Sequence, residues 1–225
     1  MRRIRPTLVA VLIAAFAAWT ADASTAKPPP SKYVALTFDD GPGPLTREFM
    51  AYLKKRKVPG TFFVLGQHAR RDPKLLRQMV DEGHEVANHS FNHPSLTRLS
   101  DAAVRNQLSR TNRVIRKATG KKPLLMRPPG GAVNGRVRSI ARSLGLKTVI
   151  WDVDPFDWQR PGTSTIVRRV LSQAAHNGVK HDIVLMHDFG GPRQQTLSAL
   201  PRIISTLRKR GYTFVTTSEL LKLRK

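Results

Sequence analysis

Short apolar runs alternate with longer amphipathic stretches along most of the chain. Tyr33–Phe38 has the composition of a strand, and Leu45–Lys57 repeats its apolar residues at helical spacing. Thr61–Leu65 reads as a second strand, Pro73–Glu82 as a second helix and Glu85–Ala87 as a short third strand. Ser100–Ala118 is a long helix, opened by Ser100, whose hydroxyl can accept from an otherwise unpaired N–H of the first turn. Leu124–Met126 makes a brief strand, and Arg136–Leu144 a helix stopped by Gly145, the residue type that most readily takes a left-handed turn. Lys147–Val153 is a strand, Thr163–His176 a helix, and Asp182–Met186 a strand. Gln195–Arg210 is a helix ending at Gly211, and Tyr212–Thr216 is the last strand.

This alternation predicts an α/β fold with a parallel sheet and helices packed outside it. The number of repeats suits a single small (β/α) barrel of about seven strands better than an open doubly wound sheet. No glycine-rich phosphate loop follows the first strand, which argues against a nucleotide-binding sheet. There is no internal repeat and no sign of a second domain, so residues 33–225 form one unit.

The N-terminus has a different logic. Arg2, Arg3 and Arg5 precede an uncharged apolar stretch from Leu8 to Trp19, and Ala21-Asp22-Ala23 supplies a small-x-small cleavage pattern. Residues 1–23 are therefore expected to be a signal peptide, and 24–32 a proline-rich spacer. The apolar run is short for a membrane span, which needs about 20 residues. The expected product is a secreted protein, extracellular or in the cell wall, with no membrane span once the signal is removed; an uncleaved anchor is the competing reading. Export through the general or the twin-arginine route is left open, although the residues around Arg2-Arg3 fit the latter poorly.

The formal charge is +24 at pH 7, and +22 without residues 1–23. Such a charge implies anionic surroundings, a cell wall or a nucleic acid, and says nothing about fold. The absence of cysteine excludes a disulfide framework, a thiolate metal site and a cysteine nucleophile.

Chemistry collects after the strands. Polar clusters follow five of the apolar runs: Asp39-Asp40-Gly41-Pro42, His89 to Pro94, Arg127 to Gly130, Asp154 to Trp158, and His187-Asp188. In a barrel the C-terminal strand ends share one rim, so five loops would build one site. Taken singly, each cluster has an ordinary explanation: a solvated turn, surface histidines, one more arginine in a basic protein, a core tryptophan. Pro94 disfavours a helix at His93, so a turn is expected to present both His89 and His93. Two histidines and a carboxylate form a known divalent-metal donor set.

Together the segments TFDDGP, HSFNHP, RPPG, DPFDW and VLMHD resemble the motifs of the polysaccharide deacetylases, the family of the NodB homology domain. The likeness runs through nearly all of residues 33–221 in the expected order. It implies a distorted (β/α) barrel and a metal-dependent hydrolase that removes acetyl groups from N-acetylglucosamine units of a polysaccharide, peptidoglycan or chitin-type. By the same resemblance Asp40, His89 and His93 hold one divalent ion, zinc first, with cobalt, nickel or manganese as alternatives. Asp39 corresponds to the base, His187 to the acid, Asp157 to the carboxylate paired with that acid, and Arg127 to the residue that orients the base. Trp158 and Leu185 resemble the apolar wall receiving the acetyl methyl, and the Gly130 backbone N–H would donate to the oxyanion. The family usually has Tyr or Phe where this chain has Gly130, which predicts an altered or wider groove.

An O-acetyl xylan esterase with the same site is the nearest alternative. A non-catalytic basic protein binding cell wall or nucleic acid is the alternative of another class. Aromatics make up 7% of the chain and are largely committed to strands or the site, which argues against specific nucleic-acid binding. The expected partners are the acetylated polysaccharide and an anionic wall polymer, and the expected state is a monomer.

Overall fold

The computed structural model describes residues 32–176 and 181–224. The expected signal peptide and all but the last residue of the expected spacer lie outside the described residues. Lys32, assigned to the spacer, opens the first strand instead, pairing with Tyr212.

The chain runs β1 (Lys32–Asp39), α1 (Thr46–Lys55), β2 (Gly60–Val64), α2 (Gly66–Ala69), α3 (Pro73–Asp81), β3 (Glu85–Asn88), α4 (Asp101–Thr119) and β4 (Leu125–Met126). It continues through α5 (Gly135–Ser143), β5 (Lys147–Thr148), α6 (Thr163–His176), β6 (His181–His187), α7 (Gln194–Lys209), β7 (Tyr212–Phe214) and α8 (Thr217–Leu223). Every ladder is parallel, in the order β5-β4-β3-β2-β1-β6. β1 is the hub. On one edge it pairs with β6; on the other its upper half pairs with β2 and its lower half with β7. The result is a curled parallel sheet of seven strands, a distorted half-barrel with helices outside.

Lys147–Val153 is a continuous strand only in composition. Its start pairs with β4, through Val149 N–H to the Met126 carbonyl (2.8 Å), and its end pairs with β6, through Leu185 N–H to the Val153 carbonyl (2.9 Å). Crossing the gap between these edges leaves a two-residue ladder and an isolated bridge at Val153. The last strand likewise stops at Phe214, because Thr216 caps α8 in a reciprocal capping box with Glu219.

The core follows from the pattern. Val34, Leu36 and Phe38 of β1 pack with Phe62 of β2, Met186 of β6 and the inner faces of α1, α3 and α7. Ala35, Phe63, Ala87, Leu125 and Ile183 form a second cluster with Val149 and Leu220. β1, β2 and β6 are thus covered on both sides, as parallel strands require, and rigid up to the rim where the polar clusters emerge. No described helix is long and apolar enough to cross a membrane.

Candidate metal centre and active site

Asp39 ends β1 and is buried; Asp40 follows with φ 78°, in the left-handed region. On a continuing strand adjacent side chains would point to opposite faces. The reversal at Asp40 instead brings both carboxylates to one cleft. The segment after β3 is bent similarly: Ser90 (φ 69°) and His93 (φ 64°) are left-handed, and Ser90 Oγ accepts from His93 N–H at 3.1 Å. A turn, not a helix, therefore presents the two imidazoles, as expected before Pro94, and their ring centroids lie 5.1 Å apart. Nε2 of His89 and of His93 lie 3.6 and 3.4 Å from Asp40 Oδ1.

These donors fit a divalent cation. One ligand atom from each of Asp40, His89 and His93 can be taken so that all lie within 4.8 Å of one another. His89 Nδ1 donates to the Arg127 carbonyl at 2.8 Å, which leaves the Nε2 lone pair facing Asp40. Burial, against the opposing charge of Asp40, lowers the His89 pKa to about 3, so the ring is neutral as a ligand must be. Asp40 Oδ1 is buried with no hydrogen-bond donor, a costly state for a carboxylate oxygen unless a cation neutralises it.

Arg127 is fully buried behind Asp39. Its Nη1 donates to Asp39 Oδ1 (2.8 Å) and Thr37 Oγ1 (2.7 Å), its Nη2 to the Ile150 carbonyl (3.4 Å), and its guanidinium stacks 4.1 Å from the Phe63 ring. Burial raises the Asp39 pKa, and the Arg127 charge opposes that rise. The other Asp39 oxygen lies 3.7 Å from His89 Nε2.

On the neighbouring strand, His187 ends β6 in register with Asp39. Its Nδ1 lies 2.7 Å from Asp157 Oδ1, while Asp157 Oδ2 accepts from His187 N–H and from Thr196 Oγ1, both at 2.9 Å. Asp157 sits in a short 3₁₀ turn bracketed by left-handed Phe156 and Arg160. Burial works against the charged His187 ring, but the bond and charge of Asp157, with Asp39 and Asp40 nearby, raise its pKa overall.

A cleft of about 430 Å³ is lined by Asp39, Asp40, His89, His93, Gly130, Trp158, Leu185 and His187. All the residues singled out in the sequence therefore meet at one place, Arg127 and Asp157 standing behind it. Trp158 is half exposed on the rim, whereas Leu185 is buried in the wall. Gly130 has φ 59° and open space where a side chain would begin.

Four further residues line the cleft without having been given a role: Asp154, from the DPFDW segment, and Trp151, Gly190 and Arg193. Arg193 is buried and holds the loop after β6, donating to the carbonyls of Phe189 (2.7 Å) and Gly190 (2.8 Å). Gly190 has φ 75°, and a Cβ there would stand 2.4 Å from Asp40 Oδ2. The Gly190-Gly191 pair was a readable sign of close backbone approach; nothing local marks Arg193. Asp188 is buried and receives the Thr46 hydroxyl, tying the loop after β1 to that after β6. Burial pushes its carboxyl up to about 7, against that hydrogen bond.

A sequence profile of the polysaccharide deacetylases matches residues 26–149. The chain is 42% identical to a peptidoglycan-N-acetylglucosamine deacetylase of Bacillus cereus, over 85% of this chain and 89% of that one. It is 41% identical to the peptidoglycan-N-acetylmuramic acid deacetylase PdaC of Bacillus subtilis over 88% of its own length, spanning 40% of that longer protein. Among solved structures it resembles a family 4 carbohydrate esterase from Streptomyces lividans in complex with acetate, with a TM-score of 0.74 and 41% identity over 81% of this chain and 91% of that one.

Proposed function

The chain belongs to the polysaccharide deacetylase family, and from that premise we propose that it is a secreted, metal-dependent hydrolase of N-acetyl groups on the N-acetylglucosamine units of a wall polysaccharide. One observation carries the reading: Asp39, held by Arg127, and His187, held by Asp157, open into the cleft that also holds the Asp40–His89–His93 donors. The relative from Bacillus cereus, similar over nearly its whole length, supports N-acetylglucosamine as the sugar.

Asp40, His89 and His93 would hold a divalent cation, zinc by its donors, which when bound would supply Lewis acidity to the acyl oxygen and to a water. Asp39 takes a proton from the attacking water as the water oxygen bonds to the acyl carbon. Burial strengthens this carboxylate as a base, and Arg127 fixes its orientation. The Gly130 N–H donates to the developing oxyanion, and Leu185 and Trp158 receive the methyl. His187, whose pKa the bond and charge of Asp157 raise, gives its proton to the nitrogen as the C–N bond breaks. Acetate and a free amine leave. Two titrating groups pushed upward for different reasons thus divide the base and acid work.

The solved esterase relative favours a second reading, hydrolysis of O-acetyl esters on the same machinery. Acetate release from chitin oligosaccharides, peptidoglycan and O-acetyl xylan separates the two. The proposal requires acetate and a new amine from the N-acetylated glycans, and a loss of about 10²–10⁴ in Asp39→Asn. Release from the xylan alone would overturn it in favour of the ester.

A further inference from the structure

Between Asp101 and Asp152 the chain has no acidic residue, yet it carries twelve lysines and arginines. This stretch is not scattered in space. α4 packs against α5, with Arg105 Nη1 donating to Ser143 Oγ at 3.0 Å; α4 also lies against β3, and α5 against β5. Arg127 is consumed by the site, and Arg136 pairs with Asp101. The others leave one flank of the barrel strongly positive.

At the end of this flank remote from the cleft, where β4 and β5 begin, lies a hollow of about 450 Å³. Arg138, Arg142 and Lys147 line it, with Leu124 and Leu146. The Lys122 ammonium closes its edge beside Gly145. Among the described residues none of these four cations makes an ion pair, and Arg138, Arg142 and Lys147 are exposed. Arg138 and Arg142 are one helical turn apart, which sets their Cβ atoms about 6 Å apart on one face. Each planar guanidinium can take a phosphate through two parallel N–H···O bonds, so neighbouring forks suit a chain that presents phosphates at regular intervals. Leu124, 59% exposed, adds an aliphatic contact. The large aromatics exposed among the described residues, Phe156 and Trp158, belong to the cleft region, so this hollow offers no platform for stacking bases.

We propose that this flank is a docking site for a phosphodiester-linked polyol polymer of the wall, which holds the enzyme on its insoluble substrate while the cleft works on the glycan. The proposal rests on the wall-glycan reading above, but its test does not depend on catalysis. Equilibrium binding of the intact chain to poly(glycerol phosphate) is measured across a salt series, with single-stranded DNA and phosphatidylglycerol vesicles as comparators. Arg138→Glu/Arg142→Glu/Lys147→Glu is expected to weaken polymer binding by on the order of tenfold or more, and to flatten the slope of log K against log salt by about 2 to 3. The Gln version of the same triple variant should lose less. Acetate release from a small soluble N-acetylglucosamine oligosaccharide should be unchanged in both. A control of equal charge change on other exposed positions, Lys74→Glu/Arg77→Glu/Arg202→Glu, should keep polymer binding. Equal loss in the control, absence of polymer binding, or tighter binding of DNA or vesicles through the same three residues would each overturn the proposal. Failure of acetate release alone would count against the deacetylase reading and leave the docking result standing.

Discussion

Replacing Asp157 by Asn leaves the size of the side chain nearly unchanged and removes its charge. In the structure this carboxylate accepts three hydrogen bonds, from the ring and the backbone of His187 and from Thr196. An amide has one acceptor oxygen, so at least one of these contacts is lost or reversed, the amide NH2 then donating to a neutral His187 Nδ1. Burial then acts on the His187 ring with no adjacent carboxylate to oppose it, and its pKa falls. The sign follows directly. His187 serves as an acid only while protonated, so activity is lost as pH rises through its pKa, and lowering that pKa moves the alkaline limb to lower pH. A hydrogen bond to a charged group is worth about 1.5–3 kcal/mol, or roughly 10- to 100-fold in rate on the alkaline side. The assay is kcat/KM for acetate release from a soluble N-acetylglucosamine oligosaccharide across pH. Thr196→Val, which removes only a bond to the carboxylate, should move the limb much less. An alkaline limb that stays in place in Asp157→Asn would refute His187 as the acid controlled by this pair.

Arg127→Lys keeps a charge but loses the fork that joins Asp39, Thr37 and Ile150; denaturant unfolding should show a loss of about 2–4 kcal/mol. An unchanged midpoint would show that the fork contributes nothing to the rigidity of the site. Gly190→Ala places a methyl against Asp40 Oδ2 at a positive-φ position, and calorimetric titration with zinc should show affinity reduced on the order of tenfold or more. Affinity equal to that of the parent would separate Asp40 from the metal. Gly130→Tyr meets no neighbouring atom but carries a strain of about 1–2 kcal/mol from its φ of 59°. It should alter kcat/KM unequally across acetylated glycans, and unchanged kinetics would sink the idea that Gly130 widens the groove.

Much of this architecture was legible in the sequence because period and punctuation agreed. Ser100 caps α4 through Ala103 N–H, Gly145 and Gly211 take left-handed turns after their helices, and Thr163–His176 is a helix as its spacing indicates. The site was legible because polar residues placed directly after strands share the barrel rim. What was missed depends on partners that local sequence does not name. Lys147–Val153 has strand composition, but it exchanges one sheet edge for another half-way along, which only the curl of the sheet decides. α2, at four residues, is too short to show a helical period. α8 was findable, since Thr216 and Glu219 spell a capping box, but the β-favouring residues before it drew the strand too far. Arg193 and Asp188 act through backbone carbonyls and a distant threonine, contacts that arise only once the loops after β1 and β6 meet.

The central claim is tested most directly by measuring acetate and free amine released from N-acetylglucosamine oligosaccharides by chelator-treated protein, before and after zinc is restored. The account predicts equimolar acetate and amine, abolished by chelation, recovered with zinc, and absent in His89→Ala at every zinc concentration. Full activity in the chelated protein, or in His89→Ala, would contradict it.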